Sequence, residues 1–134
     1  YMILDAPLTM LCDSPTAYRH EQECTDFIAS VPTIWNETRV LDGKIGEYIV
    51  TARRKGSDWY VGGITSWTMR EIEIDFSFLP QGKEYEAVIF ADGANAAKIA
   101  SDYCRAVEKV NSETVKKMKL APGGGFAISL TPAK

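Results

Sequence analysis

Histidine and cysteine are scarce in this chain of 134 residues, which has one histidine, His20, and three cysteines, Cys12, Cys24 and Cys104. An odd, small cysteine set without a CxxC pair is not a disulfide framework. A tetrahedral zinc site needs about four Cys or His ligands. The three thiols therefore read as free and partly buried, and no metal site is expected. A single histidine among charged neighbours also leaves no Ser–His or Cys–His pair for nucleophilic catalysis. Positive charge is not in excess: 15 Lys and Arg against 18 Asp and Glu leave a net charge of −3. Without a basic stripe, nucleic acid is not an expected partner. No apolar run reaches the roughly 18 residues of a bilayer-spanning helix, and no leader pattern is visible. The abrupt start at Tyr1 reads as the cut end of a larger protein, and internal repeats and low-complexity tracts are lacking.

What is present is an ordinary globular balance, 46% hydrophobic and 25% charged, in a length that can bury a real core. The first thirty residues differ from the rest. Tyr1 to Leu11 is apolar apart from Asp5, the pattern of a strand buried on both faces. Ser14 and Pro15 suit an N-cap and first helical position. Thr16 to Ser30 then carries Ala17, Tyr18, Cys24, Phe27 and Ile28 at loose helical spacing. Strand, turn and helix in that order are half of a βα unit.

From Val31 onward, short runs of β-branched and aromatic residues recur between turn signals. Strands are expected near Thr33–Leu41, Glu47–Arg54, Trp59–Thr65, Glu71–Ser77, Tyr85–Phe90, Tyr103–Val110, Thr114–Leu120 and Gly125–Leu130. Glu71, Glu73 and Asp75 alternate with Ile72, Ile74 and Phe76, the period-2 signature of a half-buried strand. Val115, Met118 and Leu120 alternate less regularly. Ala94 to Ser101 is the one helix-prone stretch. The expected fold is mostly β: an antiparallel two-sheet β-sandwich of about eight strands, covering residues 31–134 and preceded by the strand–helix remnant 1–30.

Constellations that could carry chemistry have weak signals. Pro122-Gly123-Gly124-Gly125 lacks the Gly-Lys-Ser/Thr ending and following helix of a P-loop, so it reads as a tight turn. Asp92-Gly93-Ala94-Asn95 lacks the alternating acids and closing glutamate of a calcium loop. Glu71, Glu73, Asp75, Glu84 and Glu86 alternate along strands as a solvated face should, with nothing to desolvate one and raise its pKa. Acid–base chemistry needs two carboxylates at fixed separation in a cleft. No catalytic residue is therefore assigned. Trp35 and Trp59 fall within strand patterns and read as core. Trp67, in Thr65-Ser66-Trp67-Thr68, lies in a connection, where a flat ring can pack or stack on a sugar. Asp13 directly follows the apolar run. At the C-terminal end of a barrel strand it would handle substrate; the alternative is a turn or cap aspartate. Asp13 and Trp67 are thus the two candidate substrate-binding positions.

Several stretches carry a family resemblance: Ala6-Pro7-Leu8-Thr9-Met10 with Cys12-Asp13-Ser14-Pro15, then Val31-Pro32-Thr33-Ile34-Trp35-Asn36-Glu37-Thr38, Leu41-Asp42-Gly43-Lys44-Ile45-Gly46-Glu47-Tyr48, Trp59-Tyr60-Val61-Gly62, Phe78-Leu79-Pro80 and Leu120-Ala121-Pro122-Gly123-Gly124-Gly125-Phe126-Ala127. In order and spacing the chain resembles the C-terminal end of glycoside hydrolase family 97, the calcium-dependent α-glucosidases and α-galactosidases of Bacteroides and relatives. Asn36 departs from the pattern, which favours aspartate there. The resemblance implies that residues 1–30 are the last strand and helix of a catalytic (β/α)8 barrel. It implies that residues 31–134 are a C-terminal β-sandwich with a structural or oligomerisation role. By the same resemblance, the parent cleaves α-glucosidic or α-galactosidic bonds in the periplasm, with calcium in its catalytic domain and none in this chain. The implied partners are the parent's barrel, a further copy in a homo-oligomer and, through the parent, an oligosaccharide. The rival expectation is a carbohydrate-binding module that contacts glucan through loop aromatics.

Overall fold

The computed structural model describes residues 1–4 and 12–133. Two short helices, α1 (Pro15–His20) and α2 (Gln22–Ser30), precede eight strands: β1 (Glu37–Lys44), β2 (Tyr48–Lys55), β3 (Asp58–Thr65), β4 (Arg70–Asp75), β5 (Tyr85–Asp92), β6 (Tyr103–Val110), β7 (Val115–Leu120) and β8 (Gly125–Pro132). All eight expected strands are there, and their pairings are antiparallel. The two layers are unequal. Six strands form one sheet in the order β1-β2-β3-β8-β5-β6, and β4 pairs only with β7 in a second sheet.

Alternation decides what each layer buries. On β4, Ile72 and Ile74 point inward with Met118 and Leu120 of β7, while Glu71 and Glu73 stand opposite Lys119 and Lys117 on the outside. Lys117 Nζ lies 3.1 Å from Glu73, a cross-strand pair on a solvated face. Phe76, just after β4, is fully buried with Ile74, Leu120, Ile128 and Leu130. The inner face of the large sheet supplies Val50, Ala52, Trp59, Val61, Ala87 and Ile89 to the same cluster. Each large side chain buried there contributes roughly 1.5–3 kcal/mol.

The N-terminal residues cover part of the other face of the large sheet. Met2 is buried, the Thr51 hydroxyl donates to the Met2 carbonyl at 2.8 Å, and Arg53 Nη2 donates to the Ile3 carbonyl at 3.2 Å. Gly62 permits this approach, since a Cβ there would lie 2.9 Å from Met2 Cβ. Phe27 of α2 packs on Phe90 with ring centroids 4.6 Å apart. Glu23 accepts from the Tyr103 hydroxyl at 3.1 Å and pairs with Arg105. The Tyr103 hydroxyl is held protonated well above its ordinary range by its hydrogen bond to Cys24 and then by Glu23.

Several expectations change. Tyr1–Leu4 form no strand, and the remainder of the expected strand over 1–11 lies outside the described residues. The helix over 16–30 is two helices, broken at Glu21, whose backbone leaves helical geometry at φ −112°, ψ 51°. Strand β1 begins at Glu37 rather than Thr33; just before it, Asn36 donates its N–H to the Arg54 carbonyl at 2.8 Å, and its side-chain oxygen accepts from Gly56 N in the β2–β3 turn at 2.7 Å. Residues 94–101 form turns, not a helix. There the Asp102 carboxylate accepts from Asn95 N at 2.6 Å, and the stretch buries no apolar face to offset the cost of a short helix. Trp59 is core, but Trp35 is half-buried on the outer face against Tyr60 and Arg53.

Candidate functional site

The acids singled out from the sequence do not converge. Glu71, Glu73, Asp75, Glu84 and Glu86 are all exposed, and among the described residues no group of three His, Cys, Asp or Glu is placed to hold a metal. The three cysteines are free, with Cys12 and Cys104 exposed rather than partly buried.

Asp13 is exposed in the turn that enters α1. Its Oδ1 accepts from Ser14 N at 2.7 Å, and its own N–H donates to the Tyr18 hydroxyl at 2.8 Å. Ser14 caps α1 through Ala17 N, as its sequence position predicts. Trp67 is 85% exposed in the bend between β3 and β4. One edge of its ring lies along the β7–β8 turn, where a Cβ on Gly123 would come within 3.1 Å. Asp13 and Trp67 share no hydrogen-bond partner among the described residues.

The bend carrying Trp67 belongs to a polar network that the sequence did not announce. Ser66 N donates to the Glu47 carbonyl at 2.7 Å, and Gly123 N to the Ser66 carbonyl at 2.8 Å. Arg70 Nη2 pairs with Glu47 at 2.7 Å, its Nε donates to the Thr65 hydroxyl at 3.1 Å, and its guanidinium stacks over Tyr48. The Tyr48 hydroxyl donates to Asp42 at 3.1 Å, and Lys44 pairs with Glu47. Each acid here already faces a cation or a phenol, so the network holds the β1–β2 hairpin to the bend and leaves no free general base.

Those contacts set a pH response. Lys44, and then Arg70, hold the Glu47 carboxyl below its ordinary value of 4.5. A carboxylate whose folded pKa is depressed contributes its stability above the unfolded value and loses it as pH falls through the folded one. Carboxyl chemical shifts followed through an acid titration should therefore place the Glu47 midpoint below 4.5. In Arg70→Gln it should move back up, and an unchanged midpoint would contradict the pairing.

Beside this network lies a groove of about 560 Å³, lined by Val40, Ile45, Tyr48, Ile49, Ile64 and Ser66. Val40 and Ile64 are largely exposed, and Ile45 at the hairpin tip is wholly so. A sequence signal that could have found it is an isoleucine inside the turn Lys44-Ile45-Gly46-Glu47, where a polar residue is usual.

The glycine turn has a job that its motif only hinted at. Asp92 Oδ2 accepts from Ala121 N at 2.8 Å and from Gly125 N at 3.0 Å. A Cβ on Gly124 would overlap that carboxylate. Backbone N–H groups do converge on an anion here, and the anion is the chain's own.

Residues 34–131 match the family described as glycosyl-hydrolase 97 C-terminal, oligomerisation. The chain belongs to that family. It is 52% identical over 130 residues to the retaining alpha-galactosidase of Bacteroides thetaiotaomicron, a match covering 97% of this chain and 20% of that protein. Among solved structures, a glycoside hydrolase family 97 enzyme from Pseudoalteromonas sp. strain K8, in complex with acarbose, superposes with a TM-score of 0.88 at 37% identity, over 91% of this chain and 20% of that one. A beta-arabinopyranosidase superposes with a TM-score of 0.73 at 25% identity, over 91% of this chain and 18% of that one. The chain thus spans about a fifth of the length of the relatives it matches. The family resemblance read from the motifs holds, and so does its β-sandwich fold.

Proposed function

We propose that this glycosyl-hydrolase 97 C-terminal domain is the accessory, structural and oligomerisation module of a hydrolase that cleaves α-galactosidic or α-glucosidic bonds, with the chemistry carried elsewhere in the parent. The observation that carries the reading is the partition of polarity. The acids of β4 face water and lysine, while exposed apolar side chains collect on the outer face of the large sheet and at its β1–β2 end. That is the surface of a module that packs against protein, not of a cleft that desolvates acids. The similarity to a retaining alpha-galactosidase supports the α-galactosidic choice. In this reading residues 1–30 end the parent's catalytic barrel, and the sandwich docks on it through Met2, Ile3 and Phe27. Calcium sits in that catalytic domain, the parent works in the periplasm, and Asp13 reaches its substrate. Incubating the chain with nitrophenyl α-galactoside and α-glucoside tests the division of labour. The expected result is no turnover above blank, and any turnover would overturn it.

A second reading, a carbohydrate-binding module, is favoured by one observation, the 85% exposure of Trp67. Titration with maltooligosaccharides in the same samples separates the two. Binding that is lost in Trp67→Ala would establish the second reading, and heat-silent titration would remove it.

A further inference from the structure

We infer that Thr51, Arg53 and Gly62 form a main-chain clamp that fixes the register of the strand entering at Tyr1, an inference that rests on the reading of residues 1–30 as the end of the parent's barrel. Three features of the outer sheet face converge on Met2 and Ile3. Thr51 and Arg53 share one face of β2 and are 3% and 2% exposed. The Thr51 hydroxyl donates to the Met2 carbonyl at 2.8 Å, and Arg53 Nη2 donates to the Ile3 carbonyl at 3.2 Å. Buried donors of this kind are costly unless an acceptor meets them, and here the acceptors are backbone carbonyls of the entering chain. Gly62 pairs with Thr51 across the ladder, and the three atoms nearest to a Cβ placed there all belong to Met2 and Ile3, at 2.9 to 3.5 Å. Met2 itself is buried. Residues 1–4 form no strand in this chain, so these contacts, not a ladder, set where Met2 and Ile3 sit.

The clamp answers a need set by the sequence. Among residues 1–11 only Asp5 is charged. A strand takes its register from alternating polar and apolar residues, and that alternation is weak here. A slip by one residue turns each side chain to the opposite face and shifts it about 3.3 Å along the strand. Past the far end of the same run stands Asp13, which in the proposed parent reaches substrate. A slip at Met2 is therefore carried to Asp13, and a misplacement of about 1 Å can cost a hundredfold in rate. Thr51, Arg53 and Gly62 are positioning residues: they touch no substrate and act through Asp13.

The test is steady-state hydrolysis of nitrophenyl α-galactoside by the whole parent carrying Gly62→Ala, Thr51→Val, Thr51→Ser or Asp13→Asn, and by the double variant of Gly62→Ala with Asp13→Asn. Near-ultraviolet circular dichroism and sedimentation verify that fold and particle mass are kept. Thr51→Val keeps the shape and removes the donor, whereas Thr51→Ser keeps the donor. The expected result is a fall in kcat/KM of about tenfold or more in Gly62→Ala and in Thr51→Val, with near-native kcat/KM in Thr51→Ser. Because the clamp acts through Asp13, Gly62→Ala should cost little further once Asp13→Asn is present. Independent losses in the double variant, or native kcat/KM in both Gly62→Ala and Thr51→Val, would overturn the clamp and leave the barrel-end reading standing. Asp13→Asn without effect on kcat/KM would instead overturn the substrate role of Asp13, and this inference with it.

Discussion

Phe76→Ala should lower the stability of the chain by about 3–5 kcal/mol, the range for truncating a fully buried aromatic. A domain of this size has only about 5–15 kcal/mol in total, so the variant should unfold at a much lower urea concentration with a similar slope. The size of the effect follows from where Phe76 sits. It is fully buried, its N–H donates to the Thr114 carbonyl at 3.1 Å, and its ring lies 5.9 Å from that of Phe78, which in turn packs on Trp59. The cavity left by alanine lies between two sheets whose strands are fixed by their own ladders, so the walls cannot close on it. Phe78 is only partly buried, and Phe78→Ala should cost clearly less. Equal costs at the two positions would mean that the layers are not packed as described.

Gly124→Ala should be nearly as damaging, and its damage should vanish when Asp92 is shortened. In the native turn the space where a Cβ would go is filled by the Asp92 carboxylate. The added methyl therefore expels a carboxylate that accepts from Ala121 N and Gly125 N. Hydrogen bonds to a charged group are worth about 1.5–3 kcal/mol each, and leaving their N–H donors unpaired in a partly buried turn adds to the loss. Asp92→Ala alone should cost a similar amount by removing the acceptor. The double variant should then cost little more than Asp92→Ala, because the methyl enters vacated space. Measured as a double-mutant cycle by urea denaturation, the coupling should be about 2 kcal/mol or more, in the range of residues in direct contact. Additive costs would show that the turn is not built around the carboxylate.

These two sites differ in how visible they were in the sequence. Phe76 could be placed from its neighbours alone: strict alternation of acid and apolar residue along 71–76 is a local signal, and it fixes which face is buried. The remaining strands were located by their β-branched and aromatic runs between turn residues, with less regular alternation along 115–120 and with β1 expected from Thr33 but observed from Glu37. Sheet partition was not local. That β3 pairs with β8 and β4 with β7 depends on which surfaces meet, and nothing within either strand states it. Asp92 was invisible for the same reason: its partners lie 29 and 33 residues away, and its own surroundings read as a plain turn. Residues 94–101 misled in the opposite sense, since their alanines favour a helix while Asp102 captures the backbone instead. The groove was not read from the sequence: Ile45 is unusual in a hairpin turn, but the walls come from three different strands.

The role proposed for this domain is to assemble and support a hydrolase whose chemistry lies outside it. Its most direct test is to remove residues 34–131, the span of the family match, from the parent and to measure particle mass by sedimentation alongside turnover of an α-galactoside. The expected result is a particle reduced to single subunits that still hydrolyses the glycoside. A particle of undiminished subunit number that has lost all turnover would contradict it.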